Sequence, residues 1–341
     1  MHKNSHYMFC FLFLICGILR LWYNDFCYCD LIRSIILKRG CVFSMLDFSV
    51  MTLADAPKLR PYLTHTYSRL CDYVFGTLVF WRDMWPLEYA ISDDIVFLRL
   101  EISKNQFAFM LPVGSRSDFD LVNALGMLDS YFNACGTGNM LYYNVPLPEA
   151  DILKKHYGNV TVEPISSGGD YIYDALSMAE LSGRKLHGQR NHFNYFERTY
   201  DYHLTKITAE NVGDVKIFVE SKAVDASSEL FKEGTRKTFE LFDNLDIYDF
   251  SSLALYVDDK VVGFTFGSLL DDTLYVILEQ ADRDHRGAYP KLASAFVYAH
   301  LDAGAVYVNR EDDLGNAGLR RSKLAWNPVE IVERYSVRID R

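Results

Sequence analysis

One succession of strand and helix patterns is written twice in this chain, and that repetition limits the available folds more than any other feature. In the first run, residues 88–91 and 95–102 read as paired strands around Ser92, Asp93 and Asp94, and 106–113 as a third strand. An amphipathic helix follows over 118–135, with Asp118 near its cap and Gly136 at its end. A strand over 140–145, a helix over 148–157 and a closing strand over 160–165 complete the run. The order returns with strands at 251–257 and 261–269 around Asp258 and Asp259, then a strand at 273–279. A helix at 290–301 ends at Gly304, and 306–309 (strand), 315–323 (helix) and 332–339 (strand) close the second run. Tyr142 and Asn144 end one strand as Tyr307 and Asn309 end the other. The expected architecture is α/β with mixed sheets, in two tandem domains of one type over 45–169 and 170–341. Residues 166–169 (Ser-Ser-Gly-Gly) read as the linker, and helical segments at 173–181 and 186–200 lead into the second domain. Ahead of the first run, Thr52 to Asp55 with Leu59, Tyr62, Leu63 and Tyr67 has the cap-then-periodic form of a helix start.

The composition can fill two cores. Of 341 residues, 50% are hydrophobic and 15% aromatic, which excludes a disordered chain. The net charge of −10 excludes non-specific attraction to DNA or an anionic surface. A phosphate-bearing partner must therefore be held by a local basic patch. Five of the seven cysteines precede residue 45, leaving Cys71 and Cys135, and no spacing resembles a zinc site. No metal is expected, and the sparse cysteines of the folded region fit the reducing cytoplasm.

Residues 1–44 stand apart. Residues 7–19 form an apolar run too short to span a bilayer comfortably, with no small-residue cleavage site behind it. Five basic residues against two acidic give this stretch +3, so the remainder carries −13. Three readings stay open: an extension outside the fold with the start at Met45 or Met51, a membrane anchor giving weak association through residues 7–23, or a cleaved signal.

Three constellations carry candidate chemistry. At 279–291, a strand leads to a helix through Arg286, Gly287 and Tyr289; helix entrances offer unpaired N–H groups, and glycine admits a phosphate or carbonyl closely. At 308–323, a strand ends in Asn309, Arg310, Glu311, Asp312 and Asp313, followed by Gly315 and Gly318 and by Arg320 and Lys323 on one helix face. Open α/β sheets place ligands at such strand ends. At 183–196, Lys185, His187, Arg190 and Asn194 belong to a basic, aromatic-flanked segment suited to phosphate contacts. Each has a plain alternative: a connecting turn, a solvated loop with ion pairs, or an exposed charged helix.

Asp170 to Tyr173, the 183–196 segment, Gly287 to Tyr289 and the 309–323 segment together resemble the phosphatidylglycerol lysyltransferase C-terminal domain family. The resemblance runs from about Leu46 to the end. It implies tandem domains of the Gcn5-related N-acetyltransferase (GNAT) type and transfer of an aminoacyl group from aminoacyl-tRNA. The chain departs in lacking a multi-helix membrane region and in having Gln280 and Ile277 where lysine and histidine are expected. The expected activity moves an aminoacyl or acyl group from aminoacyl-tRNA or acyl-CoA to an amine or hydroxyl on a small molecule, peptide or lipid head group, with no permanently bound cofactor. The alternatives are an acetyl-CoA-dependent N-acetyltransferase and a non-catalytic carrier-binding module. Asn309, Arg310, Glu311 and Asp312 are the expected reacting centre, with Glu311 or Asp312 as general base. Lys185, His187, Arg190, Asn194, Arg286, Gly287, Tyr289, Gly315, Gly318, Arg320 and Lys323 are expected on the carrier.

Overall fold

Asp93 and Asp94, both with positive φ, turn the chain between β2 (Leu87–Ser92) and β3 (Ile95–Ser103); Asp258 and Asp259 do the same between β9 and β10. Two consecutive left-handed residues match the twist of a two-residue hairpin, and Asp tolerates them. The two hairpins begin two matching halves. The computed structural model describes residues 46–84, 87–103, 106–114, 119–135, 140–223 and 229–340. Leu46–Gly126 and Asn139–Arg341 form one body, and residues 127–135 fall to a second unit as a stretch of helix. The expectations for residues 1–44 lie outside the described residues.

In chain order the elements are β1 (Ser49–Val50), α1 (Ala56–Leu59), α2 (Phe75–Trp81), β2, β3, β4 (Gln106–Phe109), β5 (Val113–Gly114), α3 (Leu121–Cys135), β6 (Leu141–Val145), α4 (Leu147–Tyr157) and β7 (Val160–Asp174). Then come α5 (Ala175–Glu180), α6 (His187–Thr199), β8 (Tyr202–Thr205), α7 (Val212–Ala223), α8 (Glu229–Asp243) and α9 (Leu245–Tyr248). The second half closes with β9 (Ser251–Val257), β10 (Lys260–Leu270), β11 (Thr273–Ala281), α10 (Ala288–Leu301), β12 (Tyr307–Asn309), α11 (Ala317–Leu324) and β13 (Glu330–Ile339).

The strands of the described residues join one sheet in the order β1-β2-β3-β4-β6-β13-β7-β12-β11-β10-β9-β8, with β5 on β3. In each half an antiparallel meander is followed by a parallel pair, β4 with β6 and β11 with β12. The closing strands are exchanged. β7, which ends the first half, pairs with β12 of the second, while β13, which ends the second, pairs with β6 of the first. Between them β7 and β13 pair antiparallel from Val160 to Ile172.

This exchange corrects the linker reading. Residues 166–169 run inside β7, and Gly169 faces Val332, whose carbonyl oxygen a Cβ there would meet at 2.4 Å. Glycine marks a close approach of two strands here, not a flexible joint. The helix expected from Thr52 is also shorter: a capping box at Thr52 and Asp55 opens it, but it stops at Leu59, just before Pro61. The expected third strand, 106–113, breaks into β4 and β5.

The core follows from the exchange. On one face, Tyr173, Met178, Leu186, Leu274, Phe296, Val308 and Trp326 pack β7, β11 and β12 under α5 and α10. Each fully buried large apolar side chain contributes about 1.5–3 kcal/mol. On the other face, α2 lies against β11, where a Cβ on Gly76 would meet Ile277 at 2.6 Å and Phe250 at 2.5 Å. The short β12 is thus held at the centre of the sheet between its two halves.

Candidate active site

β12 pairs with β11 only from Thr273/Tyr307 to Tyr275/Asn309, while β11 runs on to Ala281. The chain leaves the sheet at Asn309, and Glu311 turns it with φ 56. Asn309 enforces that turn. It is fully buried, its Nδ2 donates to Asp170 Oδ2 (2.8 Å) and to the Arg69 carbonyl (2.7 Å), and its Oδ1 accepts the Glu311 N–H (2.6 Å). A left-handed non-glycine residue costs on the order of 1–3 kcal/mol and persists only where its surroundings over-determine it. Here they do.

From this turn the side chains diverge. Arg310 donates to Glu279 on β11 at 2.5 Å, across the gap where β12 has ended, and lies over the Trp326 ring. Glu311 accepts a long hydrogen bond from Thr77 Oγ1 of α2 (3.4 Å). Asp312 accepts from Arg334 at 2.9 Å and from the Leu314 N–H. Arg334 also donates to Asp72 and to Asp170, and its Nη2 reaches Cys71 Sγ at 3.4 Å. Lys323 Nζ donates to the carbonyl oxygens of Arg310 and Glu311.

Asp72, Asp170, Glu311 and Asp312 therefore share one poorly solvated cluster with Arg334 and Lys323. Four carboxylates face two cations. Burial, with Asp170 and Asp312 nearby, pushes the Glu311 carboxyl up to about 8 against the pull of Lys323. Burial also raises Asp312 and Asp72, opposed by Arg334, and lowers Lys323, with Arg310 adding to that shift. Asp313 differs: burial opposes its charge, but hydrogen bonds from Arg320, Tyr171 and the Gly315 N–H hold it below the usual carboxylate range.

The expected carrier residues divide. Lys185 is exposed at the lip of a cleft of about 300 Å³ lined by Tyr173, Ser177, Arg184, Trp326 and Val329. Tyr173 and Trp326 tie that cleft to the reacting loop, since Tyr173 Oη donates to the Lys323 carbonyl and Trp326 underlies Arg310. Arg190 instead donates to the Leu181 and Gly183 carbonyls of the turn that follows α5. His187 and Asn194 are exposed on α6. Arg286 lies over Tyr195 and donates to His192 Nδ1 at 3.3 Å. Gly287, with φ 96, admits the His192 carbonyl, which a Cβ would meet at 2.2 Å. Tyr289 is half-buried, and burial raises its phenol. The Gly318 N–H is taken by the Asn316 cap, the Gly315 N–H by Asp313, and Arg320 by the same aspartate.

Sequence reasoning left Asp72, Thr77 and Arg334 out of the site and gave Asp170 and Glu279 no role in it. Arg334 had one signal: it takes the inward place between Val332 and Val337, where a buried arginine needs carboxylate partners.

A mixed sheet in two matching halves, with a polar loop at the end of a prematurely terminated parallel strand, defines a duplicated mixed α/β fold. The family model for the phosphatidylglycerol lysyltransferase C-terminal domain matches residues 66–338, and the chain belongs to that family. The family expectation from the sequence is thereby borne out. A crystal structure of a protein of unknown function from Bacteroides thetaiotaomicron has a TM-score of 0.76 and 28% identity, over 87% of this chain and all of that one. The L-PGS structure from Bacillus licheniformis has a TM-score of 0.59 and 15% identity, over 84% of this chain and 92% of that one, a likeness of fold. An uncharacterized protein of Mycoplasmoides gallisepticum is 29% identical over 177 residues, 51% of this chain and 57% of that protein. No helix among the described residues is long and apolar enough to cross a membrane.

Proposed function

We propose that this protein transfers an aminoacyl group from the 3′ end of a tRNA to an amine acceptor, using Glu311 as the proton-transfer group. The observation that carries this reading is Glu311 itself: a half-buried carboxyl at the end of β12, its backbone forced left-handed and its pKa pushed up to about 8. A base with a pKa near ambient pH is the efficient one. As the acceptor nitrogen attacks the ester carbonyl, a C–N bond forms and Glu311 takes the nitrogen's proton. Collapse of the tetrahedral intermediate breaks the C–O bond, and Glu311 returns that proton to the departing 3′ oxygen. Arg310 and Lys323 place positive charge beside the developing oxyanion.

Carrier phosphates fall to Arg184 and Lys185 at the cleft, and to Arg286 with His192 at the junction of α6 and α10. On a chain of net charge −10 such patches localise the polyanion rather than attract it generally.

The test incubates purified protein with isotope-labelled aminoacyl-tRNA, or labelled acetyl-CoA, in the presence of a simple amine. Label leaving the tRNA faster than spontaneous hydrolysis, with Glu311→Gln inactive, supports the proposal. Transfer from acetyl-CoA alone would make the protein an acetyltransferase, and tight binding without turnover a carrier-binding module.

A further inference from the structure

Glu279 holds the only buried carboxylate oxygen without a hydrogen-bond donor among the described residues. Its side chain is 6% exposed, and Oε1 accepts from Arg310 while Oε2 receives nothing. An unmet acceptor of this kind is costly, and a charged one more so. Its placement gives the cost a use. Glu279 lies on β11 beyond Tyr275, where β12 has ended and no strand of the described residues pairs on that side. Arg310, its partner, is the residue immediately before Glu311. Trp326, which lines the cleft with Lys185, lies under Arg310 and so ties Glu279 to that cleft.

The geometry points to Oε2 of Glu279 as the acceptor for a free ammonium on the transferred group, the α-amino group of an aminoacyl ester. Glu279 is then a specificity-determining residue that selects aminoacyl donors over plain acyl or N-blocked ones. This rests on the aminoacyl-carrier reading above and adds to it the feature of the donor that is read. Three considerations fix the chemistry. A carboxylate oxygen can only accept, so the missing partner is a donor. Its strongest partner is a cation, because charge-assisted hydrogen bonds are about twice as strong as neutral ones. The neighbouring cluster sets three aspartates, Asp72, Asp170 and Asp312, around the single cation Arg334, which favours an ammonium over an anion.

The experiment measures binding of two stable mimics to the full chain by calorimetry: 3′-(alanylamino)-3′-deoxyadenosine and its N-acetyl counterpart. Wild type is expected to bind the free-amine mimic about tenfold or more tighter. Glu279→Gln keeps an oxygen for Arg310 but replaces Oε2 by an NH2 donor, and should erase that preference while leaving the N-acetyl mimic's affinity nearly unchanged. A purely structural role for Glu279 would lower both affinities together. Equal binding of the two mimics to wild type overturns the inference and leaves the carrier reading standing. Binding of neither sinks the carrier reading and this inference with it. Should Glu279→Gln not fold, Glu279→Asp withdraws the carboxylate by one methylene and keeps its charge; an undiminished preference there overturns the inference.

Discussion

Asn309 of β12 donates its side-chain amide to Asp170 of β7 at 2.8 Å, and the carboxylate it meets is the one that holds Arg334 of β13. Three strands from both halves thus converge on one buried aspartate. The reacting loop is anchored to the seam of the molecule, and the stability of the seam and the shape of the site are one property. Asp72 and Asp312 complete the set around Arg334.

Removing the arginine should therefore cost far more than removing a surface charge. Arg334→Met leaves three poorly solvated carboxylates without their cation. The expected loss is about 3–5 kcal/mol of unfolding free energy. Urea denaturation checks it, and a loss under about 1 kcal/mol would mean that water reaches the cluster. Lowering the pH should partly rescue the variant, since protonation removes the uncompensated charge.

Strand exchange makes a second claim. A chain cut after Gly169 deprives the first half of β13, the partner of β6, and the second half of most of β7. Each fragment would expose an unpaired central edge. We expect neither to fold alone, and the two to recover dispersed amide signals in NMR when mixed. Independent folding of either fragment would show that the exchange is dispensable.

How much of this was legible follows from where the determinants lie. The hairpins were, because paired aspartates between alternating apolar runs state both the turn and its twist locally. The Asn309–Asp313 loop was, because a polar burst after a short apolar strand is unusual in sequence. The exchange of β7 and β13 was not: both patterns are correct as strands, and which neighbour each takes is decided by distant residues. Gly169 looked like a joint, because close packing and flexibility both call for glycine. Helices α7 and α8 went unassigned, although they pack on β10 through Phe218, Phe242 and Phe264. The Arg334 cluster was hidden because the three carboxylates that Arg334 pairs with lie at positions 72, 170 and 312, far from one another in sequence.

The basic segment separates two arginine and lysine roles that sequence alone merges. Arg190 holds the Leu181 and Gly183 carbonyls of the turn that follows α5, so Arg190→Ala should lower stability by about 1 kcal/mol and change carrier binding little. Lys185 is exposed at the cleft lip, so Lys185→Ala should leave melting unchanged. Its tRNA affinity should fall, and the slope of log K against log salt should shrink by about 1. The reverse pattern would place the carrier on α6 rather than at the cleft.

The last prediction separates Glu311 from Asp312. Asp312 is committed to Arg334 and the Leu314 N–H, whereas the Glu311 carboxyl accepts, among the described residues, only the long hydrogen bond from the Thr77 hydroxyl. Asp312→Asn should therefore lower stability and donor binding together. Glu311→Gln should lower single-turnover rates about a hundredfold or more with donor binding nearly intact. The pH dependence carries the same distinction. Burial raises the Glu311 carboxyl from 4.5 to about 8, so the folded state is the better proton holder. Its contribution to stability is complete below about pH 4.5 and is lost as pH rises through about 8. Catalysis runs the other way, because only the ionised carboxylate accepts a proton. Turnover should climb with an inflection near 8 while unfolding free energy declines across that range, and Glu311→Gln should flatten both curves. A rate profile of Glu311→Gln that keeps the wild-type inflection would assign the proton transfer to another group.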